Sequence, residues 1–216
     1  MQLEELVNGI IHIHYDTQEG LTRAFLRPQE CFESPEFRGK VFTLDEFKKW
    51  YIANSPKGKS TGEFTYFTDW NGFNVPGDII ERLFNGEFDP TSEDEEALLN
   101  VLEPYRGRKF YVLGTHAEKK TTSLRHEIAH GLFYTNKDYR REVLAVVDEY
   151  VDQEDVIRLH NFFRDSAGYH ESVFEDEVHA HVLASQAKLE KNSIDFAPYQ
   201  KAHEELNRIF DRYYSP

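Results

Sequence analysis

Short runs rich in β-branched and aromatic residues characterise the first hundred residues of the chain. Three of these runs, residues 9–15 (GIIHIHY), 22–27 (TRAFLR) and 63–70 (EFTYFTDW), are bounded by Gly, Pro, Asn or Asp. This composition is typical of short β-strands that end in turns. The pattern therefore predicts three strands in the first half of the chain.

Helix-start signals alternate with these runs. Thr43 and Glu46 have the spacing of a capping box, and Ser92 and Glu95 repeat it. Pro76 opens a further apolar stretch at a position that suits the first turn of a helix. The acidic residues that follow Ser92 are interpreted as a solvated helix start, because acids favour the positive end of the helix dipole. The first half is thus predicted to mix strands and helices.

The hydrophobic pattern changes near residue 105. Residues 109–115 (KFYVLGT) are predicted to form a strand, and most of the later chain has apolar residues at three- and four-residue spacing, as amphipathic helices do. The fold class expected is α+β, in one domain of residues 1–216. Its residues 1–105 are a mixed part with short strands, and its residues 106–216 are a strand followed by helices. The predicted helical stretches are SLRHEIAHGLFY, DYRREVLAVVDEYV, QEDVIRLHNFFRDS, ESVFEDEVHAHVLASQAKLE and APYQKAHEELNRIFDRYY.

Composition and charge exclude several classes of partner. The 216 residues, 39% of them hydrophobic, suffice for one globular domain with a buried core. The formal net charge is -14, so phosphates of nucleic acids and anionic membrane surfaces would repel the protein. We therefore expect no nucleic-acid partner and no membrane partner, whereas the sequence leaves the oligomeric state open.

Cysteine usage and the absence of long apolar runs indicate a compartment. Cys31 is the single cysteine, so the chain cannot form an internal disulfide. The first residues lack the basic start and apolar run of a secretory signal, and charged residues interrupt every apolar run before it reaches the ~20 residues that span a bilayer. A cytoplasmic protein is the expectation.

The stretch SLRHEIAHGLFY, residues 123–134, carries the most specific chemical signal. At about 100° per residue, His130 lies about 40° around a helix from His126, and Glu127 lies about 100° from it. Two imidazoles one turn apart can chelate one metal ion, and the adjacent carboxylate can accept a proton from water without binding the metal. The apolar face opposite consists of Leu124, Ile128 and Leu132.

A chance match on a solvated helix is the other interpretation of this pattern. It is disfavoured because the segment is amphipathic, follows a predicted strand, and places Gly131 beside His130, where another element could approach. Catalytic zinc sites usually have three protein ligands and an open position, so a third ligand is required.

The later segment FEDEVHAH supplies candidates for that ligand. Together with HEIAH it resembles the gluzincin zinc metallopeptidases, in which HExxH provides two ligands and a glutamate on a later helix, often in the pattern ExxA, provides the third. Glu177 to Ala180 matches ExxA. The two segments also resemble a group of small bacterial proteins with a HExxH helix followed by a DExxA-like segment. The resemblance covers about ten positions, and it implies a zincin-like fold with Zn²⁺ held by His126, His130 and Glu177.

Other residues remain open as the third ligand. Glu142 also begins an ExxA pattern and lies closer to His130 in the sequence. The neighbours of Glu177 are further alternatives: Asp176, Glu175 and His179. Small residues near Glu177 on its helix would let a second helix approach, which favours Glu177 among them.

Several side chains are candidates for supporting roles. Tyr169 and His170 precede the predicted ligand helix, where a loop after Gly168 could place either of them to stabilise an oxyanion. His116 and His179 are weaker candidates for that role. Two further histidines, His12 and His14, share one face of a predicted strand and have no evident third partner. Cys31 has no histidine arranged around it and is assigned no chemistry.

The resemblance implies amide hydrolysis by a zinc-dependent peptidase. Zinc would lower the pKa of a water at the fourth position, and Glu127 would remove its proton and return it to the departing amine. Residues 109–115 were expected to offer a strand edge on which a peptide or protein substrate could add itself. The alternative is a zinc-containing binding or regulatory protein with no turnover, which would have no use for Glu127.

Overall fold

The computed structural model describes residues 1–34, 36–117, 124–167 and 169–214. Within these residues the chain forms four β-strands and twelve α-helices, which confirms the α+β class. It divides into two compact units, one formed by Met1–Glu5 and Ile11–Thr122 and the other by Leu6–Ile10 and Ser123–Pro216. This division falls later than the change of sequence pattern near residue 105. The expectation of one domain stays a prediction.

The elements that precede residue 118 combine a small sheet with six helices. The sheet has the strand order β1-β2-β4-β3. In chain order the elements are β1 (Gln2–Val7), β2 (Ile10–Tyr15), α1 (Gln18–Glu33), α2 (Leu44–Asn54), α3 (Pro56–Thr61), α4 (Tyr66–Asp69), β3 (Phe73–Pro76), α5 (Gly77–Phe84), α6 (Glu93–Leu102) and β4 (Tyr111–His116).

Strand β4 lies inside the sheet. It pairs antiparallel with β3, with Phe73 opposite Gly114 and Pro76 opposite Tyr111, while β2 is its neighbour on the other side. All six of its residues are buried, as in a strand covered on both faces. The expectation that this strand offers a free edge for a peptide is therefore wrong. Its continuous apolar run, rather than an alternating one, is the feature that indicates an interior strand.

Residues 22–27, predicted to be a strand, lie within helix α1. Buried Leu21, Ala24, Phe25 and Pro28 recur at helical spacing, and the Thr17 side chain caps the helix by accepting a hydrogen bond from the Gly20 N–H at 3.1 Å. The predicted strand, residues 22–27, includes only two of these four buried positions, so the helical spacing was not visible within it. The helical pattern emerges over four turns.

Residues 63–70 contain the short helix α4, Tyr66–Asp69, rather than a strand. The Tyr66 ring of α4 is buried, and its hydroxyl donates to Glu30 Oε1 at 2.6 Å. At the other end of α4, the Asp69 carboxylate accepts hydrogen bonds from Tyr51 and Thr65 at 2.6 and 2.7 Å. These tertiary hydrogen bonds outweigh the strand propensity of the aromatic residues.

Both predicted capping boxes are present, at the starts of α2 and α6. Pro76 is the N-cap of α5 and the last residue of β3, one position earlier than expected. The acidic start of α6 is only partly solvated, which corrects the sequence interpretation. Glu95 is buried and binds the Arg27 guanidinium, with Arg27 Nε 2.6 Å from Glu95 Oε1. A buried charge needs such a partner.

The hydrogen bond between Tyr66 and Glu30 leads to a prediction about pH. Burial raises the pKa of Glu30 from 4.5 to about 7, although the Tyr66 hydrogen bond opposes this. Since the unfolded chain then ionises at lower pH than the folded one, the folded state should lose stability as pH rises from about 4.5 to about 7. A shift of this size corresponds to about 3 kcal/mol.

Glu30→Gln should remove this dependence. Relative to the wild type, the free energy of unfolding of the variant should rise by about 3 kcal/mol between pH 4.5 and pH 8. Urea unfolding at the two pH values measures it, with Glu19→Gln, an exposed position on the same helix, as the control. A constant difference between wild type and Glu30→Gln across the window would contradict the prediction.

The elements after residue 123 are all helical, as the sequence predicted. They are α7 (Leu124–Thr135), α8 (Lys137–Tyr150), α9 (Gln153–Phe162), α10 (Phe174–Ala184), α11 (Gln186–Lys191) and α12 (Gln200–Tyr213). The last stretch before α12 was expected to be one helix, but it breaks at Ser185 into α10 and α11. Within the described residues, none of the helices combines the length and apolar character that crossing a membrane requires.

Candidate metal centre

Helices α7 and α10 pack against each other and carry the candidate site. All residues of α7 from His126 to Phe133 are buried, on every side of the helix. The polar face is therefore buried too, whereas the polar face of an amphipathic surface helix is exposed to solvent. Gly131 allows another element to approach α7, because a Cβ there would come within 2.8 Å of the Ile10 Cδ1. The close approach that the sequence predicted beside His130 is confirmed.

The two histidines of α7 converge. Their Nε2 atoms are 3.2 Å apart and their rings are nearly perpendicular at 87°. Nitrogen atoms that bind one tetrahedral zinc ion at ~2.0–2.1 Å are separated by a distance of this order. The prediction that His126 and His130 point together is therefore confirmed.

Each of these imidazoles has its other nitrogen engaged. His126 Nδ1 lies 3.1 Å from the Ala180 carbonyl oxygen, which can only accept a hydrogen bond. His130 Nδ1 faces Asp176 Oδ1 at 2.9 Å. Both contacts favour a proton on Nδ1, which leaves a lone pair on each Nε2. Two lone pairs facing each other need a proton or a metal ion between them.

Glu177 extends the site from α10. Its Oε1 lies 3.8 Å from His130 Nε2, and its side chain is buried. Its Oε2 is also buried and lies 3.1 Å from His181 Nδ1, four residues later on the same helix. A buried carboxylate is costly without positive charge beside it, so the residues present fit a cation at this place.

Among the described residues, His126, Glu177 and His181 form a group that could hold a metal ion. Each offers one ligand atom, and these atoms lie within 4.8 Å of one another. The His126 and His181 rings are 4.8 Å apart at their centroids. His130 joins this group through its 3.2 Å contact with His126. His130 is thus next to two of the three residues of this group.

The electrostatics of the site agree with this arrangement. Burial, followed by His130 and His181, holds the pKa of His126 well below its usual value. Burial opposes a charge on His130, but the Asp176 and Glu177 carboxylates raise the pKa of His130 to about 10. A raised pKa favours a proton on His130, and its Nε2 faces His126 Nε2 at 3.2 Å. A metal ion bound there would displace that proton.

Glu127 is buried beside these ligands on the same helix. Its carboxylate is close enough to contribute to the raised pKa of His130. One position after His126, it points about 100° away from that residue around the helix. It therefore lies beside the candidate ligands, as the sequence indicated.

The structure places the rival ligand Glu142 elsewhere. Its Oε1 accepts a hydrogen bond from the Tyr213 hydroxyl at 2.9 Å, and its other oxygen binds Arg212. Glu175 is exposed and lies 3.7 Å from the Arg140 guanidinium. Neither belongs to the group formed by His126, Glu177 and His181.

The candidate oxyanion residues have local contacts. His170 Nδ1 accepts a hydrogen bond from the Ser172 N–H at 3.2 Å and so caps the following turn. Tyr169 packs against the buried Phe163 ring at 6.2 Å, and the Tyr169 and His170 side chains are half-buried. Their catalytic role stays a prediction, and Gly168, after which a loop was expected, lies outside the described residues. His116 is buried in β4.

His179 lies behind the metal-facing side of α10 and is fully buried. Its ring stacks on Phe133 at 4.8 Å, and burial lowers the pKa of His179 to about 3. Its Nδ1 is 3.4 Å from Asp176 Oδ1, the oxygen that faces His130. It is therefore placed to contact Asp176 rather than to replace Glu177.

The histidines of β2 have a different arrangement. His12 Nε2 and His14 Nδ1 lie 2.7 and 2.9 Å from the Thr115 hydroxyl oxygen on β4. A shared hydroxyl satisfies one nitrogen of each ring, which fits a hydrogen-bonded strand pair. Cys31 is a buried free thiol, and burial raises its pKa.

Sequence reasoning did not identify His181 as part of the site. The signal was present, because Glu177 and His181 are four residues apart and so share one helix face, like His126 and His130. The role of Asp176 required the contact with His130, which only the packing of α10 on α7 supplies.

Comparison with known proteins gave no match: no protein family, no curated protein sequence and no solved structure is significantly similar to the chain. The function must therefore be argued from the site itself.

The contact between Asp176 and His130 leads to a prediction about metal affinity. Asp176→Asn keeps the shape of the side chain but removes the charge that faces His130 Nδ1 at 2.9 Å. Loss of such a partner typically weakens metal binding by ~10–100-fold. Competition titration of zinc against a fluorescent chelator measures the Kd. The control is Glu175→Gln at the exposed neighbouring position, which should bind zinc with the wild-type Kd. A wild-type Kd for Asp176→Asn would refute the role of Asp176 in metal binding.

Proposed function

We propose that the protein is a zinc-dependent peptidase that hydrolyses an amide bond of a peptide or protein. His126, His130 and Glu177 are its metal ligands. The observation that carries this proposal is the 3.2 Å approach of the two Nε2 atoms. It is supported by the engaged Nδ1 atoms and by the buried Glu177 carboxylate, whose Oε1 lies 3.8 Å from His130 Nε2.

The donor set selects the metal. Two imidazoles and one carboxylate suit zinc, whereas calcium and magnesium prefer sites made of oxygen atoms. The ligands lie on two helices that pack closely, and each ligand histidine has an outer partner. This is the arrangement that fixes ring orientation in zinc sites.

Glu127 supplies the acid-base chemistry of the proposed reaction. A bound zinc ion would lower the pKa of a water molecule and polarise the substrate carbonyl. Glu127 accepts the proton of that water during attack and then donates it to the departing amine. One buried carboxylate thus acts as both base and acid. A structural metal site would have no need of it.

The substrate class rests on the resemblance of HEIAH and the segment around Glu177 to the gluzincin metallopeptidases. The zincin-like fold is part of the same proposal. β4 is an interior strand, so a substrate strand cannot add to it. We place the protein in the cytoplasm because its one cysteine is free and buried.

The proposal is tested on the purified protein with zinc and a peptide library. Metal-depleted protein should cleave no peptides, and one equivalent of zinc should restore cleavage, read by mass spectrometry. A peptide hydroxamate, which chelates metal, should inhibit the zinc-loaded form by binding directly to it. Zinc binding with no cleavage and no hydroxamate binding would argue against a catalytic centre.

A non-catalytic metal protein is the second candidate. The observation that favours it is the burial of every candidate ligand, with His181 present as a possible fourth one. Structural zinc sites are closed by four protein ligands and stabilise the fold. In that case zinc removal would unfold the protein. Glu127→Gln would leave the properties of the zinc-loaded protein unchanged.

A further inference from the structure

His181 carries a polar atom that the proposed three-ligand site leaves unused. The side chain is fully buried on α10, and its Nδ1 lies 3.1 Å from the Glu177 carbonyl oxygen. Its Nε2 is buried and has no hydrogen-bond partner among the described residues. A buried polar atom of this kind costs ~1–3 kcal/mol, so its presence needs an explanation.

The protonation state of His181 is set by its contacts. A carbonyl oxygen can only accept, so Nδ1 carries the proton and Nε2 carries a lone pair. Such a nitrogen cannot donate a hydrogen bond to an oxyanion. It can bind a metal ion, which makes coordination the role that fits its chemistry.

The position of His181 places it among the other ligands. It belongs to the group with His126 and Glu177 whose ligand atoms lie within 4.8 Å of one another. The His181 Nδ1 also lies 3.1 Å from Glu177 Oε2, so the two side chains are held next to each other. A cation bound beside Glu177 would satisfy the buried His181 Nε2.

The helices explain how four donors meet. His126 and His130 are four residues apart on α7, and Glu177 and His181 are four residues apart on α10. Residues at this spacing lie one above the other on a helix face. Because α7 and α10 pack against each other, the two pairs can supply four ligands to one metal ion.

We propose that His181 is a fourth protein ligand that closes the metal centre at rest. Substrate or inhibitor then has to displace His181 or expand the metal to five-coordination, as catalytic zinc sites do during reaction. The inference rests on the proposed zinc site. It adds a means of regulation. The site is inactive until His181 dissociates from the metal or the metal accepts a fifth ligand.

X-ray absorption at the zinc edge tests this directly, since scattering from imidazole rings counts the histidine ligands. Wild-type protein loaded with one equivalent of zinc should show three imidazoles and one carboxylate. Two imidazoles would overturn the proposal and leave His181 as a residue that positions Glu177. If the wild type binds no zinc, the proposed function fails, which is a distinct result.

Two variants give a second measurement. His181→Gln should reduce the imidazole count to two and bind a hydroxamate at least about 10-fold more tightly, because the competing ligand is gone. His203→Gln is the matched control. His203 lies on α12, and its Nδ1 is 2.9 Å from the Val182 carbonyl oxygen. This variant should leave both values unchanged. Unchanged or weaker hydroxamate binding in His181→Gln would contradict a displaceable ligand.

Discussion

His130→Ala is expected to reduce bound zinc from about one ion per chain to almost none. The His130 Nε2 lies 3.2 Å from the Nε2 of His126 and 3.8 Å from Glu177 Oε1, so it contacts both other proposed ligands. Its loss removes the imidazole that contacts both of them, so the remaining ligands enclose the ion incompletely. Inductively coupled plasma mass spectrometry of purified, dialysed protein measures the zinc content.

The same measurement ranks the remaining candidates. His126→Ala and Glu177→Ala should behave like His130→Ala. Glu142→Ala should retain zinc at the wild-type level, because Glu142 binds Tyr213 and Arg212 instead. Circular dichroism of each variant shows whether it is folded. Stoichiometric zinc in folded His126→Ala and His130→Ala would exclude the site, and zinc loss in Glu142→Ala alone would transfer the third ligand to Glu142.

Glu127→Gln is expected to retain zinc and to lose peptide hydrolysis by at least about 100-fold. The amide has almost the shape of the carboxylate but cannot accept the proton of the attacking water. Glu127 is buried beside His130, so the substitution changes the charge of the site without opening it. Initial rates on a peptide identified from the library give kcat/KM for both proteins.

The control for this variant is its own zinc content and hydroxamate affinity, which should match those of the wild type. A Glu127→Gln protein that cleaves the peptide at the wild-type rate would remove Glu127 from the mechanism. Equal inactivity of both proteins, together with zinc that no hydroxamate reaches, would favour the non-catalytic metal protein.

Local signals in the sequence predicted the parts of the fold that local interactions determine. The capping boxes of Thr43 with Glu46 and Ser92 with Glu95 involve residues three apart, and both are present. The HExxH spacing likewise places two imidazoles on one side of a helix, which needs no knowledge of the rest of the chain. Such features follow from the geometry of the helix alone.

Features that depend on distant residues could not be predicted. Glu95 looks like a solvated acid until Arg27, 68 positions away, is found beside it. The short helix α4 depends on the hydrogen bond from buried Tyr66 to Glu30, 36 positions away. In both cases tertiary contacts outweigh the local signal.

The candidate site divides in the same way. The residue types and spacing of HEIAH predicted the two converging histidines, and the resemblance to gluzincins added Glu177. The outer contacts required structure, because Asp176 and Ala180 face the histidines only when α10 packs on α7. His181 shares its helix face with Glu177, but a lone ExxxH spacing is too common to assign a ligand.

The most direct test of the account is anomalous X-ray diffraction at the zinc edge from crystals of zinc-loaded wild-type protein. The account predicts one strong peak ~2.0–2.2 Å from His126 Nε2, from His130 Nε2 and from an oxygen of Glu177. Zinc at another place in the molecule, or no peak between α7 and α10 in crystals soaked with excess zinc, would contradict it.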